Sequence, residues 1–305
     1  MTVSPVDHRR PVQEVRLDVP LVRSLLADQH PDLSNLPVVL GPSGWDNVLF
    51  RLGDDLVVRM PRRAMGAHLI LHEQRWLPQV AAGLPFAVPV PLRMGRPGFG
   101  YPWHWSICEW FPGVMLADAP PHDPAGLAVD LGGFVAAMHR PAPGDAPRSP
   151  WRGIPLSDRA ELTATGIHEL ADVPGLDRLD LAGIERRWDV LRNTSPHRGP
   201  PMWLHGDLHP ANIVMSSGRL AAVVDFGDLT AGDPACDLSV AWMALPPEDR
   251  AAFRVAAGHT DDHTWRRAQG WALALAVAFL RGSSDDPVIK AIGERTLDTV
   301  MEESL

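Results

Sequence analysis

A chain of 305 residues, 45% hydrophobic and 21% charged, has the composition of a folded globular protein. It is long enough for one large α/β domain or for two lobes, and disorder is excluded outside the ends. Its formal net charge of −9 is unevenly spread: 11 Arg face 10 acidic residues up to Pro112, whereas 17 Lys and Arg face 27 acidic residues from Gly113 onward. This balance speaks against a nucleic-acid partner and favours a cationic partner for the second half, unless the acidic surface serves solubility alone.

Two distant cysteines, Cys108 and Cys236, make no disulfide framework. The longest apolar run, Trp271 to Leu280, has ten residues between arginines and is too short to span a bilayer, so it is expected to be a core helix. The start, MTVSPVDHRR, is not followed by an apolar stretch, so no secretory leader, no membrane association and a cytoplasmic location are expected. Lys290 is the sole lysine; any site that needs a buried cation must use Arg.

In chain order, Asp18 can cap a helix from Val19 to Gln29, ended by His30-Pro31. Three β runs come next, Val38 to Leu40, Val48 to Leu52 and Leu56 to Met60, broken by Gly41-Pro42-Ser43-Gly44 and Gly53-Asp54-Asp55, which predicts a small antiparallel meander. Apolar residues at Met65, Leu69, Ile70, Trp76, Leu77 and Val80 have helical spacing. The stretch 85–91 is expected to be extended and Trp103 to Trp110 a strand; Phe111-Pro112-Gly113 breaks the chain. Beyond it the pattern predicts helices at Asp130 to Arg140, Leu181 to Arg192, Asp249 to Ala257, Trp265 to Leu280 and Val288 to Glu303. The stretch 140–150, RPAPGDAPRSP, is expected to be irregular, and short strands are expected at Asn212 to Met215 and Leu220 to Asp225.

The chemistry concentrates in 203–214, WLHGDLHPANIV. His205, Asp207 and His209 alternate, so in an extended segment they share a face, and His with carboxylate suits zinc or iron. A bland alternative has one His bonded to backbone and the other solvated. Residues further along the chain, at fixed distances, favour neither. Asn212 lies five residues after Asp207, and Asp225-Phe226-Gly227 comes after an apolar run beyond a turn.

His-x-Asp-x-x-x-x-Asn with Asp-Phe-Gly beyond it resembles the catalytic and metal-binding loops of protein kinases. Phosphoryl transfer needs an acceptor placed in line and the phosphate charge neutralised, mostly by Mg²⁺, which prefers oxygen ligands to imidazole. On this reading Asp207 accepts the hydroxyl proton, Asn212 and Asp225 hold Mg²⁺, and His205 braces the loop while His209 has no catalytic role. The particular form, HGDLHPAN with Gly206 where protein kinases carry Arg, together with DFGDLTAGDPACDLSVAW, resembles the aminoglycoside phosphotransferase family. The resemblance is closest from Met202 to Trp242 and weaker back to Gly41.

The resemblance implies an α+β, bilobal protein-kinase-like fold with a small antiparallel β N-lobe and a larger, mostly helical C-lobe. Residues 1–107 would form the nucleotide-binding lobe, 108–113 the hinge, and 114–305 the catalytic and acceptor-binding lobe. ATP or GTP would be the donor. Arg59 would grip the phosphates, held by Glu73, a carboxylate on the apolar side of its helix that is costly unless paired. Ser43 and Gly44 would lie in the loop covering the phosphates, backbone groups near Glu109 and Phe111 would contact the base, and Asp237 would brace the catalytic loop. The expected acceptor is a small-molecule hydroxyl, an antibiotic such as a cationic aminoglycoside, with Asp228, Asp233, Asp261 and Asp262 as candidate partners for its ammonium groups. Relatives acting on macrolides, choline or homoserine keep other acceptors open, and a nucleotide-binding pseudokinase or a metallohydrolase are the rival readings.

Overall fold

The structure is a computed structural model describing residues 12–259, 261–283 and 285–303. The segment MTVSPVDHRR, which carries the expectation about a leader, lies outside the described residues. The chain forms two compact units: residues 12–112 with Ala222–Leu229, and Gly113–Ala221 with 230–303.

The first unit opens with α1 (Val19–Gln29), where the Asp18 carboxylate accepts from the Leu21 N–H and Pro20 sits in the first turn. Strands β1 (Val38–Ser43), β2 (Asn47–Leu52) and β3 (Leu56–Pro61) form the predicted meander. Helix α2 (Ala64–Val80), β4 (Arg93–Gly95) and β5 (Trp105–Glu109) come next, giving an antiparallel sheet in the order β1-β2-β3-β5-β4 among the described residues. Alternation in β2 turns Val48, Phe50 and Leu52 inward. They join Leu25 and Leu26 of α1, Val58 and Met60 of β3, and Trp105 and Ile107 of β5 in one core.

β1 runs three residues further than predicted because its register against β2 shifts between Leu40 and Ser43, an irregularity that takes up Gly41-Pro42 without ending the strand. β4 escaped prediction because three residues carry no usable alternation. Its Gly95 is fixed by contact: a Cβ there would lie 1.9 Å from the Trp105 indole, which packs flat on the glycine. The stretch 85–91 forms no strand: it bends at Pro85 and Phe86, and Ala87 bridges Ala222 in parallel.

The second unit contains β6 (Val114–Met115), α3 (Pro124–Met138), α4 (Ala160–Glu169), α5 (Leu181–Arg192), β7 (Met202–Leu204), β8 (Ile213–Ser216), β9 (Arg219–Val223), β10 (Thr230–Gly232), α6 (Ala235–Leu238), α7 (Val240–Ala244), α8 (Arg250–Ala256), α9 (Asp262–Gly282) and α10 (Pro287–Glu302). The last residues of β9 already belong to the first unit. α9 carries the apolar run: Trp271, Leu273, Leu275, Val277 and Leu280 are buried, and α4, α5, α6, α7 and α10 pack around it. α3 starts six residues before Asp130 because Asp123 caps it, accepting from the Gly126 N–H, and Pro124 preforms the first turn. α4 was missed because its buried face is only Thr163, Gly166 and Ile167, too polar to show a stripe. No helix among the described residues is long and apolar enough to cross a membrane.

Candidate functional site

In the first unit, Arg59 sits in an interior strand, between Leu49 of β2 and Ser106 of β5, and is 5% exposed. A buried guanidinium there requires partners. Glu73 supplies one from the buried face of α2, alongside Ile70, Gln74, Trp76 and Leu77, and Asp225 supplies the other, accepting at Oδ1 from Arg59 Nη2 at 2.9 Å. Burial alone would favour a neutral Arg59; Glu73 and then Asp225 more than offset it and hold the guanidinium charged. Burial raises the Glu73 carboxyl, Arg59 draws it down and Asp225 raises it again, leaving it at about 7. Glu73 Oε1 is buried without a hydrogen-bond partner.

Asp225 reaches this pair through β9, whose Val223 N–H donates to Ala87 O at 3.0 Å. Its backbone is left-handed (φ 60°, ψ 68°), a conformation Asp tolerates better than most residues and one that surroundings must enforce. Phe226, fully buried beside it, provides the anchor. The Asp225 side chain is 50% exposed, and Oδ2 stands outside the ion pair.

Ser43 and Gly44 are exposed at the β1–β2 turn. Arg62 Nη1 donates to Ser43 Oγ (3.0 Å) and Gly44 O (3.1 Å), and Arg63 Nε donates to Asp46 Oδ1 (2.7 Å), so two arginines from the end of β3 clamp the turn. Glu109 is exposed at the end of β5, and Phe111 lies two residues on, half-buried, one residue before the end of this unit's first stretch.

In the second unit, the loop after β7 holds Asp207, 24% exposed, with both carboxylate oxygens engaged. Arg152 Nη2 donates to Oδ1 at 2.8 Å, and His209 Nε2 lies 3.3 Å from Oδ2. His209 Nδ1 accepts from the Ala211 N–H, and its Nε2 lies between the Asp207 carboxylate and Asn212 Nδ2, 3.2 Å from the latter. Burial raises the Asp207 carboxyl, but Arg152 first and His209 second hold it well below the usual carboxylate range. Asn212 Nδ2 donates to the Asp207 backbone carbonyl at 2.9 Å, which leaves its Oδ1 as the available ligand atom.

The loop is braced from beneath. Asp237 accepts from the His205 and Gly206 N–H groups (2.8 and 2.9 Å), and His205 Nδ1 accepts from the Asp207 N–H. His205 is therefore turned into the loop's own backbone, whereas His209, to which the sequence assigned no part, touches Asp207. Among the described residues no group of three His, Cys, Asp or Glu converges as a metal site would require, so the alternating trio is not a three-ligand cage. Arg152 was not anticipated at all. It sits fifty-five residues from Asp207, just beyond the stretch read as irregular.

The acids proposed for a cationic acceptor are differently employed. Asp233 is buried in a two-pronged pair with Arg267 (2.7 and 3.2 Å), Asp261 caps α9, and Asp262 pairs with Arg254. Asp228 is partly exposed and lies in the first unit.

A histidine pair extends the brace: His139 Nε2 lies 3.4 Å from Asp237 Oδ2, and its Nδ1 lies 2.9 Å from His259 Nε2. Burial, then His139, lower His259 from 6.5 to about 4, against the opposing pull of Asp261. The folded state therefore refuses a proton that the unfolded chain accepts between those values. This contribution to stability is complete above pH 6.5 and is lost as the pH falls towards 4. Urea-unfolding midpoints should fall across that window, and less steeply in His259→Gln; equal slopes would assign the acid sensitivity elsewhere.

Comparison with known proteins bears on the family and the fold. A family profile described as "Phosphotransferase enzyme family" matches residues 38–271. Among curated proteins, no sequence matches significantly. Among solved structures, the GDP complex of wild-type aminoglycoside 2'-phosphotransferase-IIIa superposes with a TM-score of 0.68 at 19% identity, covering 93% of this chain and 99% of that one. The macrolide 2'-phosphotransferase MphH from Brachybacterium faecium, an apoenzyme, gives 0.59 at 20% identity, with 94% and 99% covered. ADP-bound aminoglycoside phosphotransferase APH(2'')-Ib gives 0.59 at 15%, with 94% and 97% covered. Likeness at such identities establishes the shared kinase-like α+β fold, a five-stranded antiparallel sheet ahead of a helical portion. The profile match spans most of the sequence, and the chain belongs to the phosphotransferase enzyme family.

Proposed function

We propose that the protein transfers the terminal phosphoryl group of ATP or GTP to a hydroxyl of a small-molecule acceptor of the antibiotic type. The observation that carries this reading is the buried Arg59 bridging Glu73 and Asp225, because a desolvated cation held by two carboxylates has no structural purpose that an apolar side chain would not serve as well. The neighbours captured with GDP and ADP support a nucleoside triphosphate donor.

On this reading Arg59 orients the α and β phosphates and Glu73 fixes its guanidinium. Ser43 and Gly44 cover the phosphates, backbone groups near Glu109 and Phe111 meet the base, Asp207 takes the acceptor hydroxyl proton, and Asp237 keeps its loop in shape. The donor set fits Mg²⁺. Asp225 Oδ2 and Asn212 Oδ1 are hard oxygens outside other hydrogen bonds, with the orphaned Glu73 Oε1 in the same unit as Asp225. When bound, Mg²⁺ would neutralise phosphate charge.

Asp225→Ala should abolish the Mg²⁺ dependence of nucleoside triphosphate affinity; calorimetric titrations with and without Mg²⁺ that match wild type would remove Asp225 from the metal site. Named neighbours act on aminoglycosides and on macrolides, and both classes are candidate acceptors. The function itself is tested by nucleoside diphosphate release across aminoglycosides, macrolides, choline and amino-acid alcohols. Stimulation by orders of magnitude names the acceptor, and no stimulation by any hydroxyl compound overturns the reading.

A further inference from the structure

Arg152 does not meet Asp207 by a chance swing of a surface side chain. The loop that carries it is fastened to β10 on both sides. Before it, the Ala231 N–H donates to Pro147 O (2.9 Å), the Ser149 N–H to Thr230 Oγ1 (2.8 Å), and Arg148 to Ala231 O (3.1 Å). Ser149 Oγ then accepts from the N–H groups of both Trp151 and Arg152 (3.1 Å each), closing a tight turn. After it, the Asp233 N–H donates to Gly153 O (2.8 Å). Gly153 is left-handed (φ +64°), and a Cβ there would stand 2.5 Å from Leu204 Cδ1. The loop therefore has one way to lie, and that way puts a largely buried guanidinium (16% exposed) on Asp207 Oδ1.

This placement constrains both shape and charge. With Oδ1 and Oδ2 each engaged, the carboxylate has one rotamer and a fixed set of remaining lone pairs for an incoming hydroxyl. The Asp207–Arg152 pair is also neutral as a unit, so an ammonium group beside the reacting hydroxyl gains no attraction from it. Two further acids of the same unit, Asp233 and Asp261, are committed to Arg267 and to the cap of α9.

We propose that Arg152 is a positioning residue for the transfer and the determinant of acceptor charge: it holds Asp207 for a hydroxyl carried on an uncharged part of the acceptor and cancels the pull on adjacent ammonium groups. This rests on the reading of Asp207 as proton acceptor. Water serves as an acceptor that needs no identification, so Mg²⁺-dependent hydrolysis of ATP and GTP without added acceptor reports the first part. Arg152→Ala should lower its kcat at least about tenfold, by analogy with other lost catalytic positioning, with KM for the nucleotide unchanged. Millimolar guanidinium should restore turnover and equimolar urea should not, a response that a merely structural role would not give.

The second part is read with kanamycin and its fully N-acetylated derivative, which share hydroxyls and differ in charge. Each is assayed as acceptor or, failing turnover, as inhibitor of hydrolysis. Arg152→Gln exposes the Asp207 charge and should shift preference towards kanamycin by roughly 10- to 100-fold, the scale of one unit-charge interaction at about 6 Å near a protein surface. Unchanged kcat in Arg152→Ala, or loss without guanidinium rescue, overturns the positioning role; an unchanged kanamycin preference overturns the charge role. Asp207→Asn run in parallel separates the layers. If it keeps hydrolysis, the proton-acceptor reading fails and this inference with it; if it loses hydrolysis while Arg152 variants behave as wild type, this inference alone fails.

Discussion

Asp207→Asn should lower transfer by about 10²- to 10⁴-fold, the usual contribution of a positioned general base, while nucleotide affinity stays near wild type. Asn preserves the shape of the site and can still accept from Arg152 through its carbonyl oxygen. What it cannot do is take a proton from the acceptor. The backbone carbonyl of residue 207, which receives Asn212, is untouched, so the ligand atom of Asn212 stays where it is. Single-turnover transfer measured beside equilibrium nucleotide binding separates the two effects. Transfer within a few-fold of wild type would remove Asp207 as the base.

Arg267→Ala should be the most damaging change to stability among those considered, at about 3–5 kcal/mol, because it strands a carboxylate in the interior rather than merely deleting a contact. Asp233 and Arg267 are each 4% exposed at the side chain; Arg267 also donates to Ser195 O (3.0 Å) and Thr264 Oγ1 (3.0 Å). At about 2–4 °C per kcal/mol, the midpoint of thermal unfolding should fall by roughly 6–20 °C. Asp233→Asn combined with Arg267→Met should recover part of this loss, since the amide keeps an acceptor for the Ala235 N–H and no charge is left unpaired. A single mutant within 1 kcal/mol of wild type in urea unfolding would mean that the pair is already solvated.

The residues that could be read from the sequence share a property: their partners sit at short range or on a regular period. Asp18 caps α1 three residues ahead of the amide it binds, β2 alternates cleanly, and Glu73 stands out because a carboxylate interrupts the apolar face of α2. Arg59, Asp225, Asp207 and Asn212 were legible through motif spacing, and the structure brings Arg59, Glu73 and Asp225 together in one unit and Asp207 with Asn212 in the other. Arg152 and the commitments of Asp233 were not legible, because an irregular loop has no period and each ion pair joins residues far apart in sequence. The contact of His209 with Asp207 was not legible for a different reason. Which ring nitrogen faces Asp207 is decided by the Ala211 N–H at the start of a short helical turn, a local detail that alternation along an extended segment does not reveal.

The assignment of Ala222–Leu229 to the first unit bears on the order in which the protein is made. Residues 12–112 leave the ribosome early, yet Asp225, which completes the pairing of Arg59, is synthesised more than a hundred residues later. At about 5–20 residues per second, the nascent sheet waits on the order of ten seconds with a buried guanidinium half satisfied. Ribosome-bound chains stalled before Ala222 should accordingly be cut by protease within β3 and α2, and chains stalled well past Leu229 should resist. A gene fragment ending at Pro112 would lack Asp225 and stop at that vulnerable stage, so the first unit cannot be transplanted as one contiguous piece.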